Sequence, residues 1–418
     1  MARTTPHALR LEVVERHVAG ESLPTIAAAL HLNPYTVRRF WRLYQRQGWD
    51  ALVPLLPGPP RCGPLGDAHP RIKYVLLRLK RQHRGWGVDK LRLELTRRRS
   101  LQGLPIPQRS ALASYLAQFG ARLRRPRRAP TRRPTTPQAQ PPTAPHQCWQ
   151  MDFKGDEPVE GCSLRIAPFL VCDGASGAPL GGHIHAIRGR GNRAGVGMRE
   201  VQADLRALFC RWGLPDALRM DRDSVFVGSC RLEWPGTLLL WLIGLGVQPI
   251  INRAYRPTDN AIVERNHQTW QAHVLEGSAY ADVAAVQAAT EQAFADRREA
   301  LPARHSGCER RPFLEAYPQL ACPRREYGAA EERAAFKVER LDAYLSEWKW
   351  RRTVDVRGQI SLADRNYKVG AAYCGQSVRV HFDPADRRLV CVAANGQELG
   401  RVQVPELEVE YILGLEHH

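Results

Sequence analysis

The chain has ten cysteines, at positions 62, 148, 162, 172, 210, 230, 308, 322, 374 and 391, yet no Cys-x-x-Cys pair, so nothing in it reads as a zinc ribbon. No signal peptide is expected. Several cysteines sit in apolar stretches such as Leu170-Val171-Cys172 and Ala207-Leu208-Phe209-Cys210, and the expectation is buried, reduced thiols in a cytoplasm, without disulfides. Long hydrophobic runs are also missing. The greasiest, 238–245, falls far short of the ~20 residues that span a bilayer and reads as a buried helix. Acid is scarce beside base: 42 Asp+Glu against 61 Lys+Arg leave a net charge of +19 at pH 7. That balance favours a polyanionic partner, nucleic acid ahead of anionic lipid.

What is present reads as several units, since 418 residues are too many for one ordinary core. Residues 1–57 are expected to form a helix-turn-helix unit, 68–120 a second helical unit, 121–147 a linker, 148–300 an α/β domain, 301–350 a helical connector and 351–407 a small β-barrel. In the first unit Asn33 is a good N-cap, Pro34 suits the first helical position and Gly48 can end the helix. Val37, Trp41 and Tyr44 fall on one face for packing, while Tyr35, Arg38, Arg39, Arg42 and Arg46 project mostly elsewhere. Such an arginine-rich helix after a short turn suits major-groove reading of DNA, although a solvated bundle would show the same pattern. In the second unit Gly85-Trp86-Gly87-Val88 separates two helices and Pro107 opens a third. The linker holds seven arginines, seven prolines and no acid; it cannot bury a core. Arg124, Arg125, Arg127 and Arg128 are expected to lie along DNA phosphates.

Strand signals begin at 149–154, where alternation puts Trp149, Met151 and Phe153 on one face and Gln150, Asp152 and Lys154 on the other. Strands near 165–172 and 179–187 follow, then an amphipathic helix near 196–212 and a short strand, 217–220, that ends at Asp221. After the hydrophobic helix around Trp241 and a strand at 247–251, the string Arg256-Pro257-Thr258-Asp259-Asn260-Ala261-Ile262-Val263-Glu264-Arg265 reads as a loop running into a helix, with Glu264 about one turn inside.

These strings resemble the DDE transposase and retroviral-type integrase superfamily. Pro257-x-x-Asn260-x-x-Val263-Glu264-Arg265 is similar to its glutamate signature, Trp149-x-x-Asp152 to its first-strand aspartate motif, and Met220-Asp221-x-x-Ser224-x-Phe226 to its second. The resemblance spans the chain and implies an insertion-sequence transposase: helix-turn-helix units, an RNase H-like α/β core with a mixed sheet, and a Mu-type C-terminal barrel. It implies that Asp152, Asp221 and Glu264 are both the catalytic triad and the metal ligands, Asp152 bridging two Mg²⁺ ions and the other two each completing one site; Mn²⁺ can substitute. Carboxylates suit that task, because Mg²⁺ prefers oxygen ligands, and two such ions activate the nucleophile and stabilise the leaving oxygen of a phosphodiester.

The implied enzyme binds terminal inverted repeats, cleaves 3′ ends and joins them to target DNA. Its expected partners are double-stranded DNA, at transposon ends and target, and further copies of itself as a dimer or tetramer on DNA, with room for an ATPase that selects targets. The expected place is a bacterial cytoplasm, at the nucleoid, with no membrane contact. Two other readings stand beside it: a DNA-binding regulator derived from a transposase and no longer catalytic, and an RNase H-like nuclease that cuts without joining.

Two features depart from the family pattern. Asp221-Arg222-Asp223 stands where relatives usually show Asp-Asn-Gly, which makes Asp223 a rival ligand. Forty-two residues separate Asp221 from Glu264, a longer spacing than many relatives have, and the extra ones are expected around 230–236. Asp156 and Asp173 score lower, Asp173 reading as a turn residue. His183 and His185 share a strand face and form a possible metal pair, but no third ligand is readable. The loop 188–193 lacks the Gly-Lys-Ser/Thr of a P-loop and reads as a basic DNA-contacting loop, and Arg265 is a further candidate DNA contact. Asn260, Glu264, His267, Gln268 and Gln271 fall on neighbouring turns, where they would either face bound DNA or simply be polar surface. The terminal 415–418 resembles the start of a vector-encoded histidine tag, with no functional part expected of it.

Overall fold

The computed structural model describes residues 5–53, 63–118, 141–187, 195–228, 234–253, 257–305, 307–362 and 365–415. Arg124, Arg125, Arg127, Arg128, Arg256 and the loop 188–193 lie outside the described residues, as does most of the stretch expected to hold the extra spacing. The chain divides into two compact units, Met1–Thr131 with Gln271–Ser278, and Arg132–Trp270 with Ala279–His418.

The first unit is helical: α1 (His7–Val18), α2 (Leu23–Ala29), α3 (Pro34–Gln47), α4 (Pro70–Gln82), α5 (Val88–Arg97) and α6 (Arg109–Ala117). Local chemistry sets the helix ends. The Ser22 hydroxyl accepts from the Thr25 N–H at 3.3 Å, the Asn33 side-chain Oδ1 accepts from the Tyr35 N–H at 2.8 Å, and Gly48 closes α3 at φ 71°. One apolar cluster joins Val13, Val14, Ile26, Val37 and Phe40 to Ile72, Leu76, Leu79, Leu91 and Leu95. The two helical segments read separately from the sequence therefore share a core, with α1 packed on both α3 and α4.

The second unit is built on a mixed sheet. Its strands are β1 (Cys148–Phe153), β2 (Glu157–Pro158), β3 (Arg165–Asp173), β4 (Pro179–Ala186), β5 (Ala217–Met220) and β6 (Gln248–Ile251). β1 is central, with β3 antiparallel on one side and β5 parallel on the other; β4 flanks β3, β6 flanks β5, and β2 pairs with the start of β3. α7 (Met198–Trp212), the short α8 (Ser224–Val227) and α9 (Thr237–Gly244) share a cluster with Trp149, Met151 and Phe153 on one face of β1. α10 (Ala261–Trp270) packs on β1 and β3, and α11 (Val283–Glu299) on β4. α9 is the hydrophobic run 238–245, and most of its residues are buried. No helix among the described residues is long and apolar enough to cross a membrane.

Three short helices follow, α12 (Phe313–Ala316), α13 (Glu332–Ala335) and α14 (Val338–Ser346); β7 (Lys349–Thr353) then begins inside the region read as a helical connector. β8 (Gln359–Leu362), β9 (Arg365–Lys368), β10 (Ser377–Asp383), β11 (Arg388–Val392), β12 (Glu398–Val402) and α15 (Val409–Leu413) complete the chain. The expected closed barrel is not formed among the described residues. Four strands make an open antiparallel sheet in the order β12-β11-β10-β7, and β8 pairs with β9 in a separate ribbon. Sheet and ribbon meet through a side chain, the Arg352 guanidinium donating to the Ser361 carbonyl at 2.8 Å, where a closed barrel needs a backbone ladder. The cysteines are mixed: Cys148, Cys172, Cys308 and Cys391 are buried, but Cys210 is exposed on α7.

Candidate active site

Two neighbouring parallel strands place the two aspartates. β1 and β5 pair Cys148 with Ala217, Trp149 with Leu218 and Gln150 with Arg219. Carried two residues further, that register sets Asp152 beside Asp221, on the same face because side chains alternate with period two. The opposite face of β1, with Trp149, Met151 and Phe153, is spent on the core.

The third acid arrives on α10, and the sequence just before that helix holds it down. The Asn260 amide donates to the Met151 carbonyl at 3.0 Å, fastening the helix start to the middle of β1. The Gln150 side chain accepts from the Val263 N–H at 3.4 Å on the same face as Asp152. Asp259, buried, takes a two-pronged ion pair from Arg253 at 2.9 and 2.6 Å. Glu264 lies one turn into α10, close enough for its charge to act on Asp152.

The electrostatics record the convergence. Burial pushes the Asp152 carboxyl up to about 8, and the neighbouring charges of Asp221, Glu264 and Asp223 add to the shift. Burial also raises Glu264. The imidazole of His267, 3.7 Å from the Asp152 carboxylate, is held down to about 3, first by its own burial and then by Lys154, so it supplies no neutralising charge. Crowded, half-buried acids without a compensating imidazolium are a donor set for a hard divalent cation such as Mg²⁺. The oxygens of the triad are not all within 4.8 Å of one another, a closeness met among the described residues only by His183, His185 and Asp204.

Other sequence candidates find different employment. Asp223, the rival ligand, caps α8, its carboxylate accepting from the Val225 N–H at 3.1 Å, while its own N–H donates to Asp221 at 3.0 Å. Asp173 is fully buried and accepts from the His146 N–H and from both the N–H and hydroxyl of Ser176, which makes it a turn anchor. Asp156 pairs with Arg165. Asn260 and His267 are turned inward, Gln271 is half-buried, and Gln268 and Arg265 are exposed. On α3, Tyr35, Arg38, Arg39, Arg42 and Arg46 are exposed opposite buried Val37 and Phe40. The anchoring roles of Gln150 and Asn260 were not read from the sequence, although Asn260 lies inside the glutamate signature and so had a signal.

A helix-turn-helix domain model matches residues 9–61, which take in most of α1 and all of α2 and α3. Among solved structures, the catalytic core domain of BIV integrase matches at 18% identity, covering 42% of this chain and 95% of that one, with a TM-score of 0.28. The HTLV-2 integrase catalytic core domain in complex with magnesium matches at 12% identity, covering 42% and 97%, with a TM-score of 0.30. A simian T-cell lymphotropic virus intasome in complex with PP2A regulatory subunit B56 gamma matches at 12% identity, covering 76% and 100%, with a TM-score of 0.34.

Proposed function

We propose that this protein is a DNA transposase of the DDE type, which binds the ends of a mobile element, hydrolyses a phosphodiester at each 3′ end and joins the freed 3′-hydroxyls to target DNA. The observation that carries the reading is the shared register of β1 and β5, which sets Asp152 beside Asp221 while Asn260 pins the Glu264 helix to β1.

Asp152, Asp221 and Glu264 would hold two Mg²⁺, which when bound activate the attacking oxygen and stabilise the leaving one. The charges of Asp221 and Glu264 both act on Asp152, which supports assigning the three carboxylates to one metal-binding set. In the first step water attacks the phosphorus and the 3′ oxygen leaves. In the second, that 3′-hydroxyl attacks a target phosphodiester, one P–O bond forming as another breaks, so no energy source is required. The side chains position and bind throughout, and none becomes a covalent nucleophile. Tyr35, Arg38, Arg39 and Arg42 on α3 read the element end, with Arg265 and the linker residues Arg124, Arg125, Arg127 and Arg128 on phosphates. Two ends must be cut together, so the working form on DNA is at least a dimer.

Purified protein incubated with labelled element ends, a target plasmid and Mg²⁺ is expected to give joined products. Glu264→Gln is expected to abolish cleavage and joining while end binding persists; joining by that variant would overturn the site. Cleavage without joining would make the protein a nuclease, and binding alone a regulator.

A further inference from the structure

The sheet carries a second constellation, on the face away from Asp152. β4 is an edge strand, and His183 and His185 project from one side of it two residues apart. The register pairs His183 with Phe169, which in turn pairs with Phe153, so both imidazoles lie on the Phe153 face, opposite Asp152. α7 covers that face and supplies Asp204. His185 Nε2 is 2.7 Å from one Asp204 oxygen, His183 Nδ1 is 3.6 Å from the other, and the two rings are 4.6 Å apart between centroids. Nitrogen and oxygen ligands around a tetrahedral ion with bonds of about 2.0–2.1 Å are about 3.3 Å from one another. The observed separations bracket that value, and the three ligand atoms all lie within 4.8 Å.

We propose that His183, His185 and Asp204 form a binding site for a borderline-soft divalent metal of the zinc class, clamping edge strand β4 to α7. Two imidazoles and one carboxylate are the ligand types such ions select over Mg²⁺, and three protein ligands leave a fourth position for water. Among the described residues the carboxylate has no lysine or arginine partner, and its ion-pair partners there are the two rings. Both His185 and Asp204 are mostly covered, while His183 is about half exposed, its side chain 51% accessible, which gives the ion a way in. The site stands apart from the triad in face and in chemistry, and does not depend on the transposase reading.

The test uses full-length protein in which Asp152→Asn and Asp221→Asn remove the competing acids and the terminal His417 and His418 are replaced by alanine. Co²⁺ is the spectroscopic probe and Zn²⁺ the calorimetric one. One equivalent of each is expected to bind, with the visible absorption of four-coordinate Co²⁺ and a rise in Tm on Zn²⁺ addition. His183→Ala, the substitution least able to disturb packing, is expected to weaken Zn²⁺ binding roughly tenfold or more and to abolish the Co²⁺ band. Asp204→Asn, which keeps the size of the side chain, is expected to do the same. Absence of the stoichiometric site, or binding unchanged by His183→Ala and Asp204→Asn, would overturn the proposal and leave an ordinary His–Asp hydrogen bond.

Discussion

Asp173 sits at the end of β3, next to β1, where an acid invites a catalytic assignment, yet three donors already occupy it: the N–H of His146 and both the N–H and hydroxyl of Ser176, at 2.7–2.8 Å. Asp173→Ala would leave buried donors unpaired at about 1–3 kcal/mol each. Urea unfolding of the variant is expected to show a loss of about 3 kcal/mol or more, with Mn²⁺ binding at the triad intact in the folded fraction; lost metal binding with unchanged stability would restore Asp173 to the site. A second residue carries a pH signature. His7 is held down to about 4, mainly by burial and then by the charges of Arg10, Lys73 and His69, and its Nε2 has no hydrogen-bond partner among the described residues. The folded state thus prefers the neutral ring, so His7 contributes stability above its ordinary pKa of about 6.5 that is lost as pH falls toward 4. Protection factors of α1 amides, referred to the intrinsic exchange rate at each pH, are expected to fall over that window, and less so in His7→Asn. Asp152 and Asp221 could be singled out because each has a strand and a short motif around it, and Glu264 because its motif runs from a loop into a helix. Asp204 was not, since what marks it is the proximity of two histidines about twenty residues earlier, on another element.

Helices of the first unit were legible as elements because their ends are local chemistry: Asn33, Pro34 and Gly48 are neighbours of the backbone groups they satisfy. Phe40 was missed from the packing face of α3, although it lies three residues beyond Val37 and is buried with it. The outward face is the testable one. If α3 reads DNA, substituting glutamine for Arg38, Arg39 and Arg42 should weaken binding and reduce the slope of log K against log salt by about 0.9 for each residue that meets a phosphate. Circular dichroism should be unchanged, since all three are exposed. An unaltered slope would mean that the face is merely solvated. The C-terminal strands were legible one by one from alternation and turns, but their closure was not. Whether β7 pairs with β8 or with β10 depends on partners far apart in sequence, and β7 pairs with β10.

At the scale of the whole chain, the excess of 61 basic over 42 acidic residues is unevenly spread, and the segment 121–147 carries seven arginines and no acid. Such a segment has little apolar surface to bury, so its charges can be removed with little effect on folding but a large effect on association with a polyanion. Replacing Arg124, Arg125, Arg127 and Arg128 with glutamine is therefore expected to leave Tm unchanged while lowering the salt slope of DNA binding by up to about 3.6, at about 0.9 per phosphate contact. Because phosphate contacts carry no sequence information, the affinity ratio between element-end and unrelated DNA should hold steady in this variant, whereas the α3 substitutions should shrink it. Filter binding on both DNAs at several salt concentrations separates the two effects. Equal loss of discrimination from both variants would mean that α3 contributes only charge, and that the end is recognised elsewhere in the molecule.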